Sequence, residues 1–228
     1  MKSDLLERLW KLQTSANELL LQGKREPDSY IEFLQKFVFG NILPDIDWQK
    51  VYEALGMSAE YATAIEKLGV RLDQTFWFVP VVNGVTCKMV VDALRSVNVA
   101  VTCYIDFEND SITSDRQLIY EGSYNIGFRR TVEADEENAG KSANMLKAEN
   151  HKGITLLERL LLELGYFLTT GQNLDVANIT LCSGSRDSYS SVPGVDFDYG
   201  KVHVDWYDPG RSYDVWRSRS AVPNIPPA

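Results

Sequence analysis

Fifteen residues from Ile154 to Leu168, ITLLERLLLELGYFL, constrain the fold more than any other part of the chain. Their leucines fall at 156, 157, 160, 161, 162, 164 and 168, which wraps apolar side chains around most of a helix. A helix that is apolar nearly all round has no face to give to water, so it must sit inside a core with partners on several sides. Gly171 supplies the stop signal. The chain has 228 residues, 44% of them hydrophobic and 11% aromatic, which is enough to build such a core and excludes a disordered chain.

Around this helix the pattern alternates between helical and extended spacing. Ser3–Gln22 and Ser29–Val38 read as amphipathic helices, and Asp47–Leu55 and Ser58–Leu68 as two shorter ones parted by Gly56. The texture changes near Arg71. Thr75–Val82 reads as an apolar strand, Val85–Val97 as a helix and Val99–Ile105 as a strand. A polar loop follows, then a hairpin of Gln117–Tyr120 with Tyr124–Arg129 around Gly122. Glu133–Asn150 is acidic and polar and reads as an exposed excursion or a loose helix. After the central helix come a strand at Ala177–Cys182 and a hairpin at Gly194–Tyr207 turning at Tyr199–Gly200. Interleaved strands and helices without regular βαβ repetition predict an α+β fold, in which only helix 85–97 could carry a parallel crossover. The expected organisation is a helical N-terminal segment, residues 1–70, followed by a domain over residues 71–228.

Charge and cysteine content remove several classes of function. The net charge is −9 and no basic stripe interrupts it, so no nucleic-acid partner is expected. Cys87, Cys103 and Cys182 are an odd, widely spaced set and read as buried thiols, not as a disulfide framework. No Cys/His cluster suggests a metal, and no cofactor motif occurs; Gly140-Lys141-Ser142 lacks the spacing of a phosphate loop. MKSDLLERLWKLQ carries charges among its apolar residues and is not a signal peptide, and no run is long enough to cross a bilayer. The expectation is a cytoplasmic protein without membrane insertion.

The last forty residues use a different vocabulary. From Cys182 they read CSGSRDSYSSVPGVDFDYGKVHVDWYDPGRSYDVWRSRSAV. Tyr offers broad, stiff contact area, and Ser, Gly and Asp offer adaptable hydrogen bonding, which is the composition of binding loops. Strand alternation sorts the hairpin into two faces. Val195, Phe197, Val202, Val204 and Trp206 point one way, inward. Asp196, Asp198, Lys201, His203, Asp205 and Tyr207 point the other. Two flanking loops add Asp187, Ser188, Tyr189, Ser190 and Ser191, and Asp208, Arg211, Ser212, Tyr213 and Asp214. The residues alone leave three readings open: a solvated sheet face, a binding face, or a carboxylate site for calcium or hydrolysis. His151 and His203 have no accompanying nucleophile motif, so no catalytic residues are assigned and the chain is not read as an enzyme.

ITLLERLLLELGYFLTTG, then LCSGSR, then the Tyr/Ser/Asp-rich short strands closed by WRSRSAV, resembles the variable proteins of diversity-generating retroelements. The resemblance is closest to those of candidate-phyla bacteria, which carry segments like SYNIGFRRTVEADEEN, and it covers about Thr75–Pro223. It implies a C-type-lectin-like domain after the N-terminal helices, with a C-terminal variable region at about 183–220 rewritten at template adenines. It implies a ligand-binding protein whose hypervariable face meets a protein or other macromolecule. Between Ser183 and Ser220 only Lys201, Trp206 and Trp216 lie outside the residues that such rewriting reaches from AAC or AAT codons, which makes those three scaffold. It also implies that the Arg217-Ser218-Arg219 element is a structural clamp. The alternative is a calcium-dependent carbohydrate-binding module or an enzyme on the lectin fold, although the calcium motifs Glu-Pro-Asn and Trp-Asn-Asp are missing.

Overall fold

The computed structural model describes residues 43–69, 72–73, 75–114 and 122–223, with Thr14 and Gly23. The expected helices at 3–22 and 29–38, and the expected strand at 117–120, lie outside the described residues. The chain divides into two compact units, 1–43 and 44–228. All elements below belong to the second.

That unit is a mixed α+β structure with three sheets. In chain order it contains α1 (Trp48–Ala54), α2 (Ser58–Leu68), β1 (Phe76–Val81), α3 (Cys87–Ser96), β2 (Val101–Cys103), β3 (Thr113–Ser114) and β4 (Tyr124–Arg129). A 3-10 turn (Glu136–Asn138), α4 (Ala143–Ala148) and α5 (Leu156–Thr170) follow. The chain then forms β5 (Ile179–Leu181), β6 (Ser185–Arg186), β7 (Val192–Asp198), β8 (Lys201–Tyr207), β9 (Trp216–Arg217) and β10 (Val222–Pro223). The sheets run β1-β4-β10, β2-β8-β7-β5-β9 and β3-β6. No helix among the described residues is long and apolar enough to cross a membrane.

Helix α5 is the central element the sequence predicts. Thr155 and Glu158 close its N-terminus as a capping box, and Gly171 ends it in the left-handed conformation at φ 69°. Leu156, Leu160, Leu161, Leu162 and Leu164 are fully buried. So are Glu158, Arg159 and Glu163, which no hydrophobic pattern would place inside. Their burial is tolerated because the charges meet partners. Arg159 Nε donates to Asp175 Oδ2 at 2.8 Å and Nη1 to Glu163 Oε2 at 2.7 Å. Arg219 Nη2 reaches Asp175 Oδ1 at 2.8 Å, and its two terminal nitrogens also donate to the carbonyls of Thr131 and Val132 at 2.9 and 2.7 Å. Thr180 adds a hydroxyl to Asp175 Oδ2. Burial works against the charge on Asp175, but Arg219 and Arg159 hold its carboxyl below the usual range. The clamp role expected of Arg219 is therefore present. Arg217 contributes a longer contact, 3.4 Å to the Ala134 carbonyl.

The helices α1 and α2, read from the sequence with the N-terminal segment, belong to the same compact unit as the sheets. Tyr52 fixes them to β1: its hydroxyl donates to the Pro80 carbonyl at 2.6 Å, accepts from Val82 N at 3.1 Å, and its ring stacks on Tyr61 at 4.8 Å. On α5, a Cβ at Gly165 would stand 2.6 Å from Ile46 Cγ2, so the missing side chain lets the segment leading into α1 pack directly on the central helix.

Three expectations need correction. Segment 133–150, read as an exposed excursion or a loose helix, does carry helix α4 over Ala143–Ala148, but it is not a solvated excursion. It buries Ala134, Asp135, Asn138, Ser142, Ala143 and Leu146, and Gly140 N donates to the Trp216 carbonyl at 3.0 Å. Its acidic composition misled because Glu136 and Glu137 face water while the small and apolar residues around them pack. Helix α3 does not carry a parallel crossover, since β1 and β2 lie in different sheets; the parallel pairs are β2 with β8 and β5 with β9. Of the three thiols only Cys182 is fully buried, while Cys87 and Cys103 are half-buried.

His151 lies in a loop and is half-buried in a polar knot. Its Nε2 lies 3.0 Å from Ser220 Oγ and 3.2 Å from Asn138 Nδ2. Asn138 also donates to the Ser218 carbonyl at 3.0 Å, which orients its amide and makes Nε2 of His151 an acceptor. Burial pushes the imidazole below its ordinary value of 6.5, against the pull of Asp135. A histidine with a lowered folded-state pKa binds fewer protons folded than unfolded. Stability is then full above pH 6.5 and is lost as pH falls below it toward the folded-state value. Urea melts between about pH 7.5 and about pH 5 are expected to show this loss, and His151→Gln is expected to flatten the slope.

A candidate binding face

Strands β7 and β8 pair antiparallel from Val192↔Tyr207 to Asp198↔Lys201. The turn is Tyr199–Gly200, with φ of 46° and 74°, the mirrored two-residue turn that matches strand twist. The register makes Asp196 face His203, Gly194 face Asp205 and Val195 face Val204. Residues directly opposite share a face, so the two faces read from sequence alternation are the faces of the folded hairpin. Val195, Val202 and Val204 are fully buried on the inner side. Trp206 lies on that side too, but half-buried at its edge, where its indole N–H donates to Asp110 Oδ2 at 3.2 Å.

The opposite face carries Asp196, Asp198, Lys201, His203, Asp205 and Tyr207. Asp198 and Lys201 are exposed; Asp196, His203, Asp205 and Tyr207 are half-buried. Neighbouring strands extend the face beyond the sequence expectation. Thr102 of β2 pairs with His203, and Ile179 of β5 with Trp216 of β9. Thr102 escaped sequence reading because only a parallel pairing with a strand about a hundred residues away brings it there, and no local signal encodes that.

Loop 187–191 enters the face at the Val192↔Tyr207 end of the hairpin. Asp187 organises it: its Oδ1 accepts from Tyr189 N at 2.9 Å and Ser191 N at 2.6 Å. Ser188, Tyr189 and Ser190 are exposed, Tyr189 to 89%. Loop 208–215 is tied down by Asp208, whose Oδ1 accepts from Gly210 N at 2.8 Å, and by Asn144 N, which donates to the Pro209 carbonyl at 2.9 Å. Asp208, Arg211, Ser212, Tyr213 and Asp214 are all exposed on the solvent side of this loop.

The three tyrosines of the face have different roles. Tyr207 and Tyr213 both meet Trp216 edge-on, with ring centroids 5.0 and 4.7 Å away. Tyr213 is 52% exposed, whereas Tyr207 packs against the small core of Ala143, Leu181, Val192 and Trp216. Tyr189 stands on the loop that leads into the same end of the hairpin. Among the three residues expected as scaffold, Trp216 is buried and Trp206 half-buried, but Lys201 is exposed at the hairpin tip.

Among the described residues no three His, Cys, Asp or Glu side chains are grouped to hold a metal ion. A separate cleft of about 380 Å³ lies beside α1, α2 and β1. The carboxylates that line it are engaged in structure. Asp45 pairs with Arg130 at 2.9 Å, Asp47 accepts from Lys50 N at 3.3 Å at the start of α1, and Asp73 accepts from Thr75 N at 2.7 Å.

No family model, curated protein or solved structure matches the chain.

Proposed function

We propose that the protein is a binding protein that presents a hypervariable face on a C-type-lectin-like scaffold, diversified by a retroelement. One observation carries this reading: the Tyr, Ser, Asp and Arg residues from Asp187 to Asp214 lie on one sheet face, its hairpin turn and its two bordering loops. The scaffold beneath them, helix α5 and the Asp175–Arg219 network, is buried. A protein or other macromolecular ligand suits such a face, because exposed tyrosines spread over two loops and a hairpin present broad contact and no enclosed cavity.

The face is expected to be replaceable without loss of fold. Asp187 and Tyr207 are excepted, since one organises a loop and the other packs on Trp216. Joint replacement of Tyr189, Asp205, Arg211, Tyr213 and Asp214 by serine or asparagine is expected to change stability by less than about 0.5 kcal/mol per site. It is also expected to abolish binding to partners selected on the parent from a displayed library of random peptides and small domains. Selected partners whose footprint avoids residues 187–214 would overturn the reading. The retroelement itself is tested in the neighbouring DNA: a reverse-transcriptase gene and a near-copy of the codons for 183–220, differing at adenines, are expected there.

A further inference from the structure

The centre of the face has an arrangement that general polarity does not explain. Gly194 lies under the ring of Tyr207, so close that a Cβ there would stand 2.5 Å from Cε2. Asp205 is directly opposite Gly194, and Asp196 is the next residue of β7 on the same face. In an antiparallel pair these positions are about 5 Å apart across and about 7 Å apart on the diagonal. The phenol ring therefore covers a bare patch of backbone, with Asp205 across the hairpin from that patch and Asp196 next to it along β7. Its hydroxyl is held protonated well above the ordinary range, by burial first and then by the charges of Asp196 and Asp205.

Among the described residues no ion pair joins either carboxylate to a cation of the fold. Asp205 Oδ1 accepts only from the adjacent Trp206 N, at 2.7 Å. Among the described residues no hydrogen bond or ion pair engages the Asp196 carboxylate, and burial raises its pKa. His203, opposite Asp196, turns its Nε2 to the Asp198 carbonyl at 3.2 Å. Lys201 stands opposite Asp198, not Asp196, and Arg211 lies 3.8 Å from Asp208. Half-buried carboxylates without a bonded counter-ion are costly to a free protein and gain when a cation arrives; at Asp196 the pull of His203 and Arg159 offsets only part of the cost of burial. The surroundings have the same sign: six aspartates stand from Asp187 to Asp214 against Lys201 and Arg211 alone, so the field draws in positive partners.

We propose that Asp196, Asp205 and Tyr207 form a receptor for one cationic side chain of a protein partner. The inference rests on the reading of this face as a binding surface and adds the chemistry of its partner. The two carboxylates pair with the charge, and the tyrosine ring offers its π-system beside it. Arginine fits better than lysine, because its planar fork engages both carboxylates at once.

The test titrates the full chain with N-acetyl-arginine amide and, separately, with N-acetyl-citrulline amide, its neutral isostere, and follows backbone amides by NMR. Arginine is expected to shift the amides of Asp196, Asp205 and Tyr207, citrulline to leave them in place, and Asp196→Asn with Asp205→Asn to remove the response at an unchanged melting temperature. Peptides selected from the random library are expected to carry Arg or Lys, and citrulline or norleucine in that position to weaken them at least about tenfold. No shift with arginine, equal shifts with citrulline, or a response that survives both asparagines would overturn the proposal. Selected peptides that footprint on 187–214 without a cation would overturn this inference alone. Peptides that bind elsewhere would overturn the function on which it rests.

Discussion

Asp175→Ala is expected to destabilise the protein by about 3–5 kcal/mol, the usual loss when one member of a buried ion pair is removed. The reason is where Asp175 sits. Its two oxygens meet Arg159 and Arg219, both with no exposed side chain, and among the described residues Glu163 would be the one carboxylate left in an ion pair with either. Its main chain is engaged as fully as its side chain: Asp175 N donates to the Val132 carbonyl at 3.1 Å, and its carbonyl accepts from Phe197 N at 3.0 Å. One residue thus joins the central helix, the 131–132 segment, strand β7 and the chain after β9. Two buried guanidinium groups left short of charge would draw water into the core or force the chain after β9 away. Urea denaturation of the parent and the variant measures the effect, and a loss under about 1 kcal/mol would mean that the network relaxes to find other partners. Asp175→Asn is the milder control, since it keeps the shape and one acceptor.

Leu160→Ala is expected to cost about 2–5 kcal/mol, as large-to-small changes in a packed core do. Leu160 is completely buried on α5. Helices, β-strands and the Asp175 network enclose that helix, so the surroundings have little freedom to collapse into the void. Tyr199→Ala on the hairpin tip is the contrast: Tyr199 is 90% exposed, and a change within about 0.5 kcal/mol is expected. Denaturant midpoints for the two variants under one set of conditions separate core from surface. A neutral Leu160→Ala would mean that α5 is not the packing centre of the unit.

Local sequence settles the features whose causes are local. The all-round leucines predict that α5 is buried, and Gly171 marks its end. The alternation from Val195 to Tyr207 sorts the hairpin into its two faces and places the turn at Tyr199–Gly200. It also puts Asp196, His203, Asp205 and Tyr207 on one surface before any coordinate is known. These follow because helix and strand periodicities act over a few residues, and a one-residue slip would put valines in water and aspartates in the core.

What required the tertiary structure are the features made by distant residues meeting. Nothing in the local sequence marks Arg159 and Glu163 as buried. They are buried because Asp175 and Arg219, 16 and 60 positions from Arg159, arrive beside them. Segment 133–150 reads as an exposed excursion or a loose helix, yet it packs because β9 and the chain that follows it meet it through Gly140, Asp135 and Asn138. Asp187 and Tyr207 look like any other face residues, but one holds its loop and the other covers Gly194. Charge and polarity are read one residue at a time, whereas burial and pairing are properties of the neighbours that the fold brings, and those neighbours lie far along the chain.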